Sequence, residues 1–494
     1  MAVIYGLLVL GALTTVYPFL LMASTGFKGA LDQNDNKLVP EFWQDNAILE
    51  QKYMLDKYAG DQSVIDAVAA SPAPETANPA DYEAFLNNLP PTMWHAAFRT
   101  APSQSTGKLA MRYQAWLRTQ FPTIDALNLA YIDENVAFQS VVPPTESFDR
   151  PNWKPRAGRK WEDWLRFKAT LPAEYRVPVR AERMWQTFVK ASVQGNFTAV
   201  PSELKGEATS FDNLRLPADG PWRVKFDKEY LPAQFRNGNT VEELWAARAT
   251  GPLPLAAFDQ SFVNENRGSI RQELTWRNYR FVLDYIAING RALWNTALFC
   301  ILSILTQLIV NPIAAYVLSR YKLPTTGQIL VFLLATMAFP AEVAMIPNFL
   351  LLKEIGLLNT FAALVLPGAA SGYMIFLLKG FFDALPQEIF ESGQLDGAHE
   401  SVMMWKLAFP LSRPVLGYLA LLAFMGAYGA FMFAFLVVQD RSMWTLMVFL
   451  YQLQNTAPRA VMMAALTLAA IPTIAVFLAS QRVIMRGIVL PGER

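Results

Sequence analysis

Apolar and polar positions divide this chain into two kinds of sequence. Residues 1–27 run without a charged side chain until Lys28, and further uncharged apolar runs cover 292–319, 355–378, 414–439 and 460–481. The segment 323–352 is equally apolar apart from Glu342. A helix needs about 20 mostly apolar residues to cross a hydrocarbon core about 30 Å thick. The pattern therefore predicts six spans, one at the N-terminus and five after residue 288. The run 443–453 (MWTLMVFLYQL) is apolar but too short to cross, which predicts a re-entrant or interfacial hairpin. Residues 28–288 read differently. Apolar residues recur there at spacings of three and four, predicting helices over 110–119, 123–131, 180–193 and 240–249. The expectation is an all-α polytopic membrane protein. It comprises a first transmembrane helix in 1–27, a large, mainly helical domain in 28–288, and a five-span core in 289–494.

Charge follows the same division. Lys and Arg total 42 against 41 Asp and Glu, with most of these side chains inside 28–288. Such a balance gives no basic surplus for nucleic acid, so no nucleic-acid partner is expected. Cys300 is the one cysteine, which excludes an intramolecular disulfide and a cysteine-based zinc site. His95 and His399 are far apart and lack a ligand cluster, so no metal site is expected. The short loops also differ in basic residues. Arg320, Lys322, Lys379, Lys406, Arg413, Arg482, Arg486 and Arg494 fall on one side of the predicted spans, against Lys353, Arg441 and Arg459 on the other. The positive-inside rule makes the first side cytoplasmic, both termini internal and 28–288 extracytoplasmic.

The most informative segment is the loop 384–413 between the fourth and fifth spans. Pro386 can start a helix, because its missing N–H costs nothing in a first turn. Ile389, Phe390 and Gly393 then share a face at helical spacing. Asp396-Gly397 can break the helix, glycine being free to adopt positive φ. A second helix with Val402, Met403 and Leu407 turned inward would run to Pro410. The product is a helix–turn–helix in which the small residues Ser392 and Gly393 allow a partner to approach closely.

The spacing Glu391-Ser392-Gly393, three residues, Gly397, nine residues, Leu407-Ala408-Phe409-Pro410 resembles the coupling loop of binding-protein-dependent ABC importers. In that family the pattern is Glu-Ala-Ala, three residues, Gly, nine residues, Ile-x-Leu-Pro. Residues 279–494 are similar to the maltose-type sugar permease subunit, with support from Asn295-Thr296, Ala315-Tyr316 through Arg320, Ile346-Pro347, Gly356 to Thr360, and Gln481-Arg482 to Gly487. The resemblance implies an ATP-driven importer in a bacterial plasma membrane, with a carbohydrate substrate. It assigns coupling to Glu391, Ser392, Gly393, Asp396, Gly397, Leu407 and Pro410. It also implies separate ABC ATPase subunits that bind the ATP, a sister permease subunit and an extracytoplasmic substrate-binding protein. The chain itself is then neither an enzyme nor a cofactor carrier. Two departures stand out. Where the family often has Trp-Asn-acidic-Phe, this chain has Tyr428-Gly429-Ala430-Phe431, and its tail reads Ile488 to Arg494 in place of a Gly-Ala-Val-Lys-like run. Tyr428, Gly429 and Phe431 are candidates for the translocation path.

Glu342 joins them as an ionisable group within an apolar segment, although its place beside Pro340 also fits the outer membrane interface. Gly107-Lys108 is not a phosphate-binding loop, since Pro102 stands at the first glycine position and Leu109 follows the lysine. The domain 28–288 is much longer than the family's first external loop. All but Trp294, Trp405 and Trp444 of the 13 Trp lie in it. They serve either as packing anchors or as stacking surfaces for sugar rings. The segments following Phe121 and Phe235 share a Thr-(Ile/Val)-acid-x-Leu core, which predicts a duplicated helical unit. The alternative to a permease is a membrane-anchored protein that binds or processes glycans through this domain.

Overall fold

The computed structural model describes residues 2–29, 31–69, 79–99, 107–135, 137–288, 291–321, 323–338, 340–455 and 457–487. Pro102, Lys322 and the tail from Ile488 to Arg494 lie outside these, as do the side chains of Arg482 and Arg486. The chain forms two compact units, Met1–Asn278 with Thr456–Val461, and Tyr279–Asn455 with Met462–Arg494.

In the first unit, helix Ala2–Gly26 is apolar along its length and exposed over most of it, as expected of a surface meant for lipid. Among the described residues the rest is built of helices and their connecting loops, with one antiparallel pair, Trp94–Ala96 with Arg176–Pro178. Helices Lys108–Gln120, Ile124–Tyr131, Ala181–Ser192 and Val241–Ala246 occupy the four stretches that the apolar spacing predicts. Thr123 and Thr240 explain two of the starts. Each hydroxyl accepts a backbone N–H three residues on, from Ala126 and Glu243. The sequence echo corresponds to this shared cap. Packing differs beyond it, with Leu127 fully buried and Leu244 only partly so.

Tryptophan packs the core of this unit. Trp94, Trp164, Trp185 and Trp245 are at most 2% exposed. At the centre is a buried ionic cluster. Glu146 meets Lys168 Nζ at 2.6 Å and Arg99 Nη2 at 2.7 Å, and also accepts the Ala96 amide and the Trp164 indole, both at 3.0 Å. Burial alone would raise the Glu146 carboxyl, but Lys168 and Arg99 hold it below its ordinary value. Lys168 also donates to the Pro91 and Trp94 carbonyls, so its desolvated charge is fully partnered.

In the second unit, Ala292–Arg320 is a single 29-residue helix, and the last helix runs Arg459–Gly487. Ala2–Gly26 belongs with these as long and apolar enough to cross a membrane. Three bent helix pairs bring the total among the described residues to six if each is one span. The predicted span 323–352 is two helices, Thr326–Ala338 and Ala341–Glu354, with Pro340 extended at the second N-cap. The predicted span 355–378 begins later, as Phe361–Val365 and Gly372–Asp383 bent by 51°. Its first residues are a turn. Gly356 (φ +71°) and Asn359 (φ +58°) are left-handed, and Asn359 Oδ1 accepts the Gln439 and Asp440 amides at 2.6 and 2.8 Å. The predicted span 414–439 is interrupted after helix Arg413–Tyr428 and resumes as Met432–Val437. The run 443–453 is one short helix, Leu446–Gln454, rather than a hairpin in itself.

Buried polar side chains join these breaks to helix Ala292–Arg320. Asn295 Nδ2 donates to the Ser442 and Trp444 carbonyls at 2.9 and 3.0 Å, and Thr296 Oγ1 accepts the Leu446 amide at 2.7 Å. Asn311, fully buried, donates to Ala369 O at 3.2 Å and accepts the Ser371 amide at 2.7 Å. Backbone groups left without helical partners in an apolar medium are costly, and these three side chains satisfy them.

Candidate functional site

The loop predicted over 384–413 folds as a helix–turn–helix. Helix Gln387–Leu395 follows Pro386, which takes the N-cap rather than the first helical position. Glycine ends it. Gly397, at φ +76°, donates to Gln394 O at 3.0 Å, and Ala398 donates to Gly393 O at 3.0 Å. That pair of bonds is a Schellman cap, which needs a left-handed residue at this position. The chain then forms Glu400–Met403, a π-helical stretch Met404–Ala408, and a last turn Phe409–Leu411. Pro410 cannot donate to the fourth carbonyl before it, which suits the widened stretch just upstream. Glu400–Leu411 and Arg413–Tyr428 then meet at 82°.

The two arms pack through Gly393. A Cβ there would lie 3.2 Å from Leu407 Cδ1 and 3.6 Å from Met403 Sδ. The small residue thus admits the loop's own second arm, and the expectation that it opens the surface to a partner is corrected. Ser392 is exposed and donates to Ile389 O at 3.0 Å. The second arm buries Met403, Met404 and Ala408. Val402, expected inward, is 37% exposed because it precedes this i, i+4 stripe by about 100° of helical rotation.

Two contacts fix the loop to the end of helix Ala292–Arg320, and a third ties that end to the preceding helix Gly372–Asp383. The Tyr316 hydroxyl donates to Glu400 Oε2 at 3.0 Å. The Arg320 guanidinium lies 3.6 Å from the Phe390 ring centroid and donates to Phe382 O at 2.7 Å. Phe390 is itself buried. What remains exposed is a mixed surface. Glu391 is exposed and accepts from Gln387 Nε2 at 2.8 Å, while Asp396 closes the first helix as its C-cap. Leu395 is 89% exposed and Trp405 49%. The coupling residues predicted from sequence therefore converge on one element, though Gly393 and Leu407 build it from inside.

Leu395, Trp405 and Glu400 were not singled out by the sequence pattern, and Tyr316 and Arg320 were named only for family resemblance and loop charge, not as anchors of the loop. Leu395 did carry a signal, being an apolar residue away from the Ile389, Phe390, Gly393 stripe. The anchoring pairs are separated by about 70 to 84 positions, a distance no local pattern spans.

The translocation candidates do not form one site. Tyr428 is buried and its hydroxyl donates to Ala469 O at 2.5 Å, so it joins two helices. Gly429 lies in the break, donating to Met425 O at 3.0 Å. Phe431 packs on Tyr451 with centroids 5.0 Å apart. Glu342 is exposed in the first turn of Ala341–Glu354, where its charge suits the helix dipole.

Comparison with known proteins accords with this architecture. Residues 287–489 match the family described as "Binding-protein-dependent transport system inner membrane component". Protein LplC of Bacillus subtilis (strain 168) is 30% identical over 200 residues, covering 37% of this chain and 67% of that protein. A probable ABC transporter permease protein of the same organism, YurM, is 30% identical over 197 residues, 39% of this chain and 64% of that one. The sn-glycerol-3-phosphate transport system permease protein UgpE of Yersinia enterocolitica is 27% identical over 204 residues, 40% of this chain and 73% of that one. This chain therefore spans about two thirds of the length of these relatives. The crystal structure of a bacterial ABC transporter involved in the import of the acidic polysaccharide alginate is similar with a TM-score of 0.38 and 24% identity, over 42% of this chain and 78% of that one. The chain belongs to the family of binding-protein-dependent transport system inner membrane components, as an all-α, multi-pass ABC transporter permease subunit.

Proposed function

We propose that this permease serves an ATP-driven importer of a carbohydrate, and that its loop 384–413 transmits the work of a separate ATPase. The single observation that carries the coupling role is the loop's construction. It is a capped helix–turn–helix, fixed from behind by Tyr316 and Arg320, that leaves Glu391, Leu395 and Trp405 exposed. A rigid, partly apolar projection with a carboxylate at its edge suits docking into a cleft with a basic rim. ATP is bound by the partner, and this chain contributes no catalytic group. A sister permease subunit completes the path, as alternating access requires two halves. In this reading the loop and both termini face the cytoplasm, and 28–288 lies outside, where it docks a substrate-binding protein.

The carbohydrate assignment is supported by the motif spacing shared with sugar permeases. Uptake of labelled oligosaccharides into vesicles carrying the assembled complex tests the reading. Uptake that follows ATP supply supports it; uptake that follows an ion gradient with ATP absent overturns it.

A further inference from the structure

The first unit contains a cleft of about 570 Å³ that no part of the coupling reading uses. This is within the range of small-molecule sites. Two tryptophans line it, Trp153 and Trp161, with ring centroids 5.7 Å apart and planes at 69°. Phe148, buried behind them, packs at 5.2 Å from Trp153 and 6.1 Å from Trp161. Both indoles are thus held by the core while their remaining surface meets the cleft. Such rings are amphipathic platforms suited to the C–H face of a sugar.

Charge then narrows the ligand. Lys160 is committed to Asp133, the one carboxylate among the described residues of the wall. Lys154 and Arg156 are exposed in the same wall and have no ionic partner among the described residues. A guanidinium and an ammonium placed two residues apart can take a carboxylate, the first by a two-pronged hydrogen bond and the second as a point charge. The rim adds a further mark. Ile132 is left-handed at φ +55° and 94% exposed. A β-branched residue rarely adopts that conformation, and strain of this kind clusters at ligand sites.

We propose that this cleft binds a carboxylated oligosaccharide, with a sugar ring against Trp153 and Trp161 and a carboxylate on Lys154 and Arg156. This rests on the carbohydrate reading of the transporter and gives it a substrate class. A free inorganic anion would engage the cations but leave the indoles unused, and a neutral sugar would do the reverse.

The test uses the full-length chain in nanodiscs, within its complex where that purifies, and titrates trigalacturonate, the neutral cellotriose and inorganic phosphate by calorimetry and tryptophan fluorescence. The expected result is saturable binding of trigalacturonate, about tenfold or more tighter than either control. The double variant Lys154→Gln, Arg156→Gln should weaken it by at least about tenfold and leave thermal unfolding unchanged. Trp153→Phe keeps a ring in the core and should reduce the fluorescence response and the affinity together. Equal affinity for cellotriose, equal affinity for phosphate, unchanged binding by the double variant, or no binding at millimolar ligand would each overturn the proposal. ATPase co-purification, which depends on the distant loop, is recorded on the same samples. Retained ATPase without trigalacturonate binding refutes this cleft alone, whereas wild-type chain without ATPase refutes the transporter reading.

Discussion

Two glycines in the loop 384–413 should respond oppositely to the same substitution. Gly397 holds φ +76° at the Schellman position. Alanine there costs about 1–2 kcal/mol for the left-handed backbone, offset by about 0.4–1 kcal/mol from a less flexible unfolded chain. The net is a loss of about 1 kcal/mol, confined to the turn. Gly393 lies inside helix Gln387–Leu395 with ordinary helical geometry, where alanine gains about 0.5–1 kcal/mol. Its new Cβ meets Leu407 Cδ1 at 3.2 Å, the mobile end of a leucine that can shift by tenths of an ångström. Gly393→Ala should therefore be neutral or mildly stabilising. Amide hydrogen exchange over 387–411 in nanodiscs reads local opening directly. A loss of about 1 kcal/mol accelerates exchange about fivefold around residues 394–398 in Gly397→Ala. Gly393→Ala should show equal or slower exchange. Acceleration in Gly393→Ala, or none in Gly397→Ala, would refute the assignment of one glycine to packing and the other to the cap.

Tyr316→Phe removes the bond to Glu400 while keeping the ring against Phe382 and Phe390, and should loosen the second arm by about 1 kcal/mol, visible as faster exchange at 400–408. Ile132→Asn keeps a residue that tolerates the left-handed region and gives up no packing, so it should stabilise the first unit by about 1 kcal/mol in thermal unfolding. Glu146 has a carboxyl held below its usual 4.5. Its stabilisation is therefore fully present above that value and lost as pH falls through the depressed one. Tryptophan-detected unfolding should show the wild-type first unit weakening on acidification below about pH 4.5, with Glu146→Gln destabilised at neutrality and less sensitive to acid.

Much of this architecture could be read from the sequence because lipid imposes a simple rule on long apolar runs. That rule locates Ala2–Gly26, Ala292–Arg320 and Arg459–Gly487 well. It misplaces the ends of broken spans, where Gly356, Asn359 and Gly429 interrupt the helix without interrupting the apolar composition. The helix starts near Thr123 and Thr240 were legible from apolar spacing, and the break at Gly397 from its residue type, but the two threonine caps emerged only in the structure. What could not be read is pairing across long separations. Tyr316 with Glu400, Arg320 with Phe390, and Glu146 with Lys168 and Arg99 depend on tertiary packing. The direction in which Gly393 opens is a further case, since a small residue reads alike whether it admits a partner or its own neighbouring helix. The tryptophans of 28–288 divide similarly. Trp94, Trp164, Trp185 and Trp245 are core, while Trp153 and Trp161 reach a cleft, a distinction absent from their spacing.

Coupling through the loop is tested most directly by site-specific cross-linking. Cys300 is the one native cysteine and is buried, so Cys300→Ser gives a clean background. Glu391→Cys and Leu395→Cys in that background, each labelled through its thiol with a maleimide–benzophenone reagent and irradiated in the assembled complex, should insert into a neighbouring C–H bond of the ATPase subunit and give a covalent adduct whose yield changes with ATP. Asn213→Cys, in the first unit, should give none. Adducts with another partner, or no ATPase adduct from an intact complex, would contradict the claim that this loop meets the motor.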